Sequence, residues 1–220
     1  MEFLDLSRYE YSDFPLEMRA VGWLGREHGL QSGDPHADSR LILKELKASS
    51  VREASLTLGF HDCAFCPPGA RVRGNGEFRY HTLSGNSYAA PVMILHYVEA
   101  HGYVPSQVFI EELRAGRELP WDHRAQRLME VLFDENAELG MRCQAIVDLP
   151  RWRDPRALNA LKWAMRHEDL ADVASDQIGI SLGEMILSGL DVGVDSEDLG
   201  YGVNYGIAQV IPGWKWAGDA

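Results

Sequence analysis

The residues of this chain best suited to chemistry are two cysteines and three histidines. Gly59-Phe60-His61-Asp62-Cys63-Ala64-Phe65-Cys66 sets Cys63 and Cys66 at C-x2-C spacing with His61 two residues upstream, and His96-Tyr97-Val98-Glu99-Ala100-His101 adds an H-x4-H pair. Two thiolates and two neutral imidazoles are the donor set of a tetrahedral zinc site, and both close pairings fall within finger-type spacings. Cys63, Cys66, His96 and His101 are therefore candidate ligands of one structural zinc. The obstacle is angular. On a regular helix, five positions rotate a side chain by roughly 140°, so His96 and His101 can share an ion only if the last turn unwinds before Gly102. His61 can replace either one, and a set of His61, Cys63, Cys66 and His96 is equally economical. With three protein ligands and a water in the fourth place the same residues would make a zinc hydrolase, with Glu77 or Glu99 as the local general base. Without an ion they would be a reduced thiol pair beside hydrogen-bonded histidines.

Other candidates are weaker. A redox role for Cys63-Ala64-Phe65-Cys66 needs a helix N-terminus to lower a thiol pKa, and Pro67-Pro68 follows at once. Gly85-Asn86-Ser87-Tyr88-Ala89 approaches a nucleophile elbow but ends in Ala and sits in a hairpin pattern. Gly74-Asn75-Gly76 is too short to cradle phosphate, and Cys143 lies on an apolar helical stripe. The adjacent carboxylates Glu111-Glu112, Asp134-Glu135 and Glu168-Asp169 point apart on a helix. Trp214 and Trp216 either anchor the C-terminal tail or face a partner.

The elements around the Cys and His residues are mixed. Residues 2–11 and 19–24 carry strand-like aromatic and aliphatic runs, Asp34-Pro35 opens a helix with Leu41, Ile42, Leu43 and Leu46 on it, and 52–58 returns to strand character. Residues 76–82 and 87–89 read as a hairpin turned at Ser84-Gly85-Asn86, Pro91 starts a helix that Gly102 ends, and 106–115 forms another. From Trp121 the pattern is helical, with apolar residues at Ala125, Leu128, Met129 and Leu132, then at Leu139, Cys143, Ile146 and Leu149 up to Pro150. Leu158, Leu161 and Met165 mark a third helix, and Ala174, Ile178, Leu182, Met185 and Ile186 a fourth. The expected fold is an α+β N-terminal domain over residues 1–117, then an all-α region of helical hairpins over 118–190, then an acidic, Gly-rich segment over 191–220.

Composition limits the function classes. A chain of 220 residues with 45% hydrophobic and 25% charged residues is globular. The start, Met1-Glu2-Phe3-Leu4-Asp5, has neither the basic nor the apolar part of a signal peptide, and the apolar run 89–95 is too short to cross a bilayer. The expectation is a soluble, cytoplasmic protein that keeps its three cysteines reduced. Its net charge of −12 is uneven: residues 168–214 contain no Lys or Arg and nine carboxylates, among them Asp191, Asp195, Glu197 and Asp198. Such a field repels nucleic acid and attracts a basic protein, for which those four residues are the candidate contacts. On a plain solvated face the same charges would serve solubility alone.

Two resemblances follow from longer patterns. Arg142-x2-Ala145-x3-Leu149, Asp154-Pro155-Arg156-Ala157-Leu158-x2-Leu161, Asp172-Val173-Ala174 and Ile178-Gly179 resemble the bacterial HEAT-like repeats of phycobiliprotein lyases over roughly residues 121–190. That resemblance implies a scaffold for macromolecular contacts and no chemistry. His61-x-Cys63-x2-Cys66, Tyr88-x2-Pro91 and His96-Tyr97-Val98-x2-His101-x-Tyr103-x-Pro105 resemble an uncharacterised bacterial domain family. The second resemblance adds a grouping and no reaction. The candidate metal site, the helical hairpins and the acidic segment together lead to the expectation of a non-enzymatic binding protein of the adaptor or immunity type that contacts a basic protein.

Overall fold

The computed structural model describes residues 2–11, 13–30, 33–34, 37–51, 60–67, 69–116 and 118–216. A small sheet region in the N-terminal half is followed by a run of helices in the C-terminal half, with eight α-helices among the described residues. Two compact units are present: Met1–Asp13 with Glu17–Arg117, and Phe14–Leu16 with Glu118–Ala220.

In the first unit, β1 (Arg19–Ala20), β4 (Glu77–His81) and β5 (Ser87–Pro91) form a sheet in the order β1-β5-β4, with β5 parallel to β1 and antiparallel to β4. The β4–β5 hairpin turns at Ser84-Gly85-Asn86 as expected, and Gly85 takes the positive φ of 90° that only glycine adopts without strain. A second sheet of two short strands, β2 (His61–Asp62) and β3 (Arg73–Gly74), is antiparallel with His61 opposite Gly74. The unit's helices are α1 (Ser39–Ser49), α2 (Ile94–His101) and α3 (Gln107–Arg114). Their apolar faces close over Ile42, Leu46, Tyr80, Tyr88, Ile94 and Phe109.

Several elements differ from the sequence expectation. Residues 2–11 form no strand beyond the single bridge of Arg8 with Arg19, and of the run 19–24 only Arg19–Ala20 is strand, because the chain there pairs with β5 over two residues alone. Helix α1 begins at Ser39, because Asp38 rather than Asp34 caps it, its Oδ1 accepting from the Arg40 amide at 2.9 Å. Pro91 ends β5 instead of starting a helix: β1 pairs only with Tyr88 and Ala89, so a residue without an N–H costs no bond on that side. The strand expected over 52–58 and the helical position of Pro35 lie outside the described residues.

In the second unit, α4 (His123–Phe133), α5 (Leu139–Asp148), α6 (Pro155–Ala164), α7 (Glu168–Leu187) and α8 (Tyr201–Val210) surround a core that includes Leu128, Leu132, Ile146, Leu149, Leu161, Ile178 and Leu182. Asp122 caps α4 through the amides of Arg124 and Ala125, and Asp154 caps α6 while also holding the Arg156 guanidinium at 2.9 Å. Pro150 falls in a 3-10 turn, Leu149–Trp152, that closes α5. Helix α8 was not expected, since Gly202 and Gly206 argue against a helix on propensity alone. Packing explains them. A Cβ on Gly206 would lie 2.1 Å from the Asp176 carbonyl oxygen, and one on Gly179 would lie 2.1 Å from that of Val203, so α7 and α8 meet backbone against backbone. No helix among the described residues is long and apolar enough to cross a membrane.

Candidate metal centre

The two cysteines sit where the β2–β3 hairpin opens. Cys63 follows β2 and still donates its amide to the Val72 carbonyl at 2.8 Å, after which residues 64–66 bend and bring Cys66 back toward the same point. Phe65, at the tip of the bend, packs edge-on to Tyr97 with ring centroids 5.8 Å apart and lies 5.8 Å from the His101 ring. An aromatic side chain thus fixes the cysteine loop to α2.

The histidines come from α2, and its C-terminus resolves the angular obstacle. His101 is the last helical residue, and Gly102 takes the left-handed conformation with φ 67°. The amides of Gly102 and Tyr103 both turn back to the Tyr97 carbonyl, the latter at 3.0 Å, which closes the helix in a widened last turn. Through that departure from α geometry, His96 and His101 bring their Nε2 atoms to 3.1 Å from each other.

Cys63 Sγ lies 3.2 Å from His101 Nε2, and Cys66 Sγ lies 3.3 Å from His96 Nε2 and 3.4 Å from His101 Nε2. The four donor atoms all fall within 4.8 Å of one another, close enough to hold a metal ion. Zinc bond lengths in a tetrahedron require separations of about 3.3 Å between two nitrogens and about 3.6 Å between nitrogen and sulfur. The observed edges are shorter by a few tenths of an ångström. Hydrogen bonding alone does not account for them, because a ring nitrogen offers one in-plane lone pair or one N–H, whereas His101 Nε2 faces three groups.

The crowding opposes charge. Burial, and then the neighbouring Cys63 sulfur, push the Cys66 thiol up; burial, and then the His101 ring, push His96 down despite the opposing pull of Glu99. The Tyr97 phenol is pushed up to about 12 by burial and then by the two sulfurs. A divalent cation at the centre of the four donors would reverse that balance for the thiols, favouring thiolates, and reinforce it for the imidazoles, which ligate in the neutral form.

His61 is placed differently. It lies exposed in β2, opposite Gly74, and is not one of the four clustered donors. Glu77 is buried, accepts from the Tyr9 hydroxyl and stands 3.8 Å from Arg79, while Glu99 is on the exposed flank of α2. A second group, Glu2, Glu27 and His28, also brings its ligating atoms within 4.8 Å, but it is largely exposed and is organised by a hydrogen-bond contact of His28 Nδ1 with Glu2 at 3.2 Å. No regular spacing announces it, because its members come from two segments more than twenty residues apart.

The acidic candidates are elsewhere. Asp191, Asp195, Glu197 and Asp198 are all exposed in the segment between α7 and α8. Asp191 accepts from the Gly193 amide at 2.8 Å and Asp195 caps the 3-10 turn Ser196–Asp198, so two of the four also shape the loop they stand on. Trp214 is an anchor, donating its indole N–H to Asn204 Oδ1 at 2.9 Å.

One known family covers the segment that carries this centre. The family described as "Domain of unknown function (DUF7919)" matches residues 1–114. The chain belongs to this family. All four clustered donors fall inside the DUF7919 match, and the acidic segment falls outside it. Neither the curated proteins nor the solved structures offer a match to the chain.

Proposed function

We propose that the chain is a non-enzymatic protein-binding module of the adaptor or immunity type, in which a structural zinc held by Cys63, Cys66, His96 and His101 stabilises the N-terminal domain and the acidic segment contacts a basic protein. The observation that carries the reading is the donor count. Two thiols and two imidazoles gathered within 4.8 Å supply four ligands, which leaves none of the tetrahedral positions for a reactive water. The hydrolase reading has less support, since Glu77 is engaged with Tyr9 and Arg79 and Glu99 stands exposed on α2. The helices following the first unit, with their resemblance to HEAT-like repeats, fit a contact scaffold. The absence of Lys and Arg over residues 168–214 favours a cationic partner.

The deciding experiment is elemental analysis of protein purified without a metal-affinity tag. About one zinc per chain is expected, lost in Cys63→Ser and in Cys66→Ser, with a fall in thermal stability because a structural site's binding energy is folding energy. A metal-free protein of unchanged stability with both thiols freely titratable would sink the zinc assignment.

A further inference from the structure

Helix α8 exposes aromatic surface where an isolated helix end would expose polar residues. Tyr201 and Tyr205, one turn apart, are 70% and 49% exposed, and their rings lie 5° from parallel with centroids 6.4 Å apart. Trp216 returns to the same place and packs against Tyr201 at 4.9 Å and 65°. Three contiguous aromatic rings at the surface differ from the scattered exposed apolar residues that any protein carries. Nor do the tyrosines exhaust each other's faces, since 6.4 Å is at the loose end of the range over which rings attract.

The charge around this row has one sign in excess. Tyr201 and Asp198 share the wall of a cleft of about 490 Å³, and Asp198 also borders a neighbouring cleft with Asp195 and Trp214. Arg166 lines the first cleft and Lys215 the second, against the nine carboxylates of residues 168–198. An electron-rich ring face beside carboxylates attracts a cation, and among protein cations the planar, weakly hydrated guanidinium stacks on tyrosine better than a compact ammonium does.

We propose that the row Tyr201, Tyr205 and Trp216 is the seat of an arginine side chain, with Asp198 and its acidic neighbours drawing an arginine-bearing segment of the partner onto it. The inference rests on the reading of a basic protein partner and deepens it: the carboxylates set the rate of encounter, and the rings set the preference for arginine over lysine.

The test uses the full chain and two labelled synthetic peptides of equal length and charge, an arginine–glycine repeat and a lysine–glycine repeat. Expected is tighter binding of the arginine peptide, with Tyr201→Leu and Tyr205→Leu each weakening it by about fivefold and leaving the lysine peptide almost unchanged. Tyr201→Phe, which keeps the ring, should restore the preference, and thermal unfolding of each variant checks the fold. If both peptides bind alike and ignore the tyrosine substitutions, while Glu197→Lys with Asp198→Lys weakens both, the aromatic seat is overturned and the acidic-partner reading stands. If neither peptide binds at low ionic strength, both are overturned.

Discussion

In the first unit, residues 63–66 and 96–101 are brought together at the tips of four side chains. In the second, α7 and α8 are brought together at their backbones, with glycines facing carbonyl oxygens. The cysteine loop hangs from strands of two residues each, too short to hold a position by ladder bonds, so it leans on Phe65 and, on the zinc reading proposed above, on the ion. The α7–α8 pair needs no such ligand, because its contact runs over residues 175–183 of α7 and 202–210 of α8. One region trades regular structure for a point of cohesion; the other trades helix propensity for proximity.

Breaking the point of cohesion should have the largest effect. Removing zinc with a chelator, or replacing Cys66 with serine, should lower stability by about 4 kcal/mol under conditions where free zinc stands a thousandfold above its dissociation constant. Scanning calorimetry with and without chelator reads this, and an unchanged melting profile would show that the four donors cohere without an ion.

Breaking the proximity should come next. Gly206→Ala gains about 1 kcal/mol of helix propensity, but its Cβ would sit 2.1 Å from the Asp176 carbonyl oxygen, a backbone atom that cannot swing away. The clash wins, and a net loss of about 2 kcal/mol is expected in urea unfolding. Gly140→Ala, on an α5 position with no atom within 4 Å, should gain about 0.5 kcal/mol instead. Similar shifts at the two positions would refute the close-contact account.

A smaller effect should sharpen how the hairpin is held. Glu112 accepts from Thr82 Oγ1 at 2.9 Å, Asn86 Nδ2 at 2.7 Å and Tyr88 OH at 2.9 Å. Burial pushes its carboxyl up, yet the hydrogen bonds from the turn outweigh that and hold it below the ordinary value of 4.5. A lowered folded-state pKa means that the carboxylate contributes stability above 4.5, and that this contribution is lost as pH falls through the lower folded value. Glu112→Gln should therefore cost about 1–2 kcal/mol at neutral pH, and the two proteins should converge in strong acid. A constant difference across pH would show that charge has no part in it.

Least of all should change on reversing Glu197 and Asp198 to lysine. Both are exposed, so stability should move by no more than about 0.5 kcal/mol, while the association rate with a basic partner should fall and lose its dependence on salt. Asp191 and Asp195 are poorer test positions, because their reversal also removes turn bonds to the Gly193 and Glu197 amides.

The same contrast explains what the sequence disclosed. Spacing named Cys63, Cys66, His96 and His101, since ligand type and interval are local properties, and the order of a mixed half followed by helices came from periodicity. Spacing also set the condition for His96 and His101 to meet, an unwound last turn before Gly102, but not that it is fulfilled, because that depends on the amides of Gly102 and Tyr103 both turning to the Tyr97 carbonyl. Helix α8 was hidden because propensity counts glycine against a helix, whereas here glycine is what its neighbour requires. The parallel pairing of β1 with β5 joins Arg19 to Tyr88 through only two residues of strand, too few to leave a pattern.

The interval from Cys66 to His96 also has a kinetic consequence. It is not slack chain: it holds the β4–β5 hairpin, five paired residues on each side, turned over residues of adjacent sequence. A hairpin of local contacts forms within about 1–10 μs, and once formed it folds the interval back on itself, shortening the loop that the cysteines and histidines must close. On the zinc reading proposed above, capture of the ion would then be a late event that seals an arrangement the hairpin has already drawn together. Lengthening the turn at Ser84-Gly85-Asn86 should accordingly slow zinc uptake during refolding, although no inserted residue would come near a ligand.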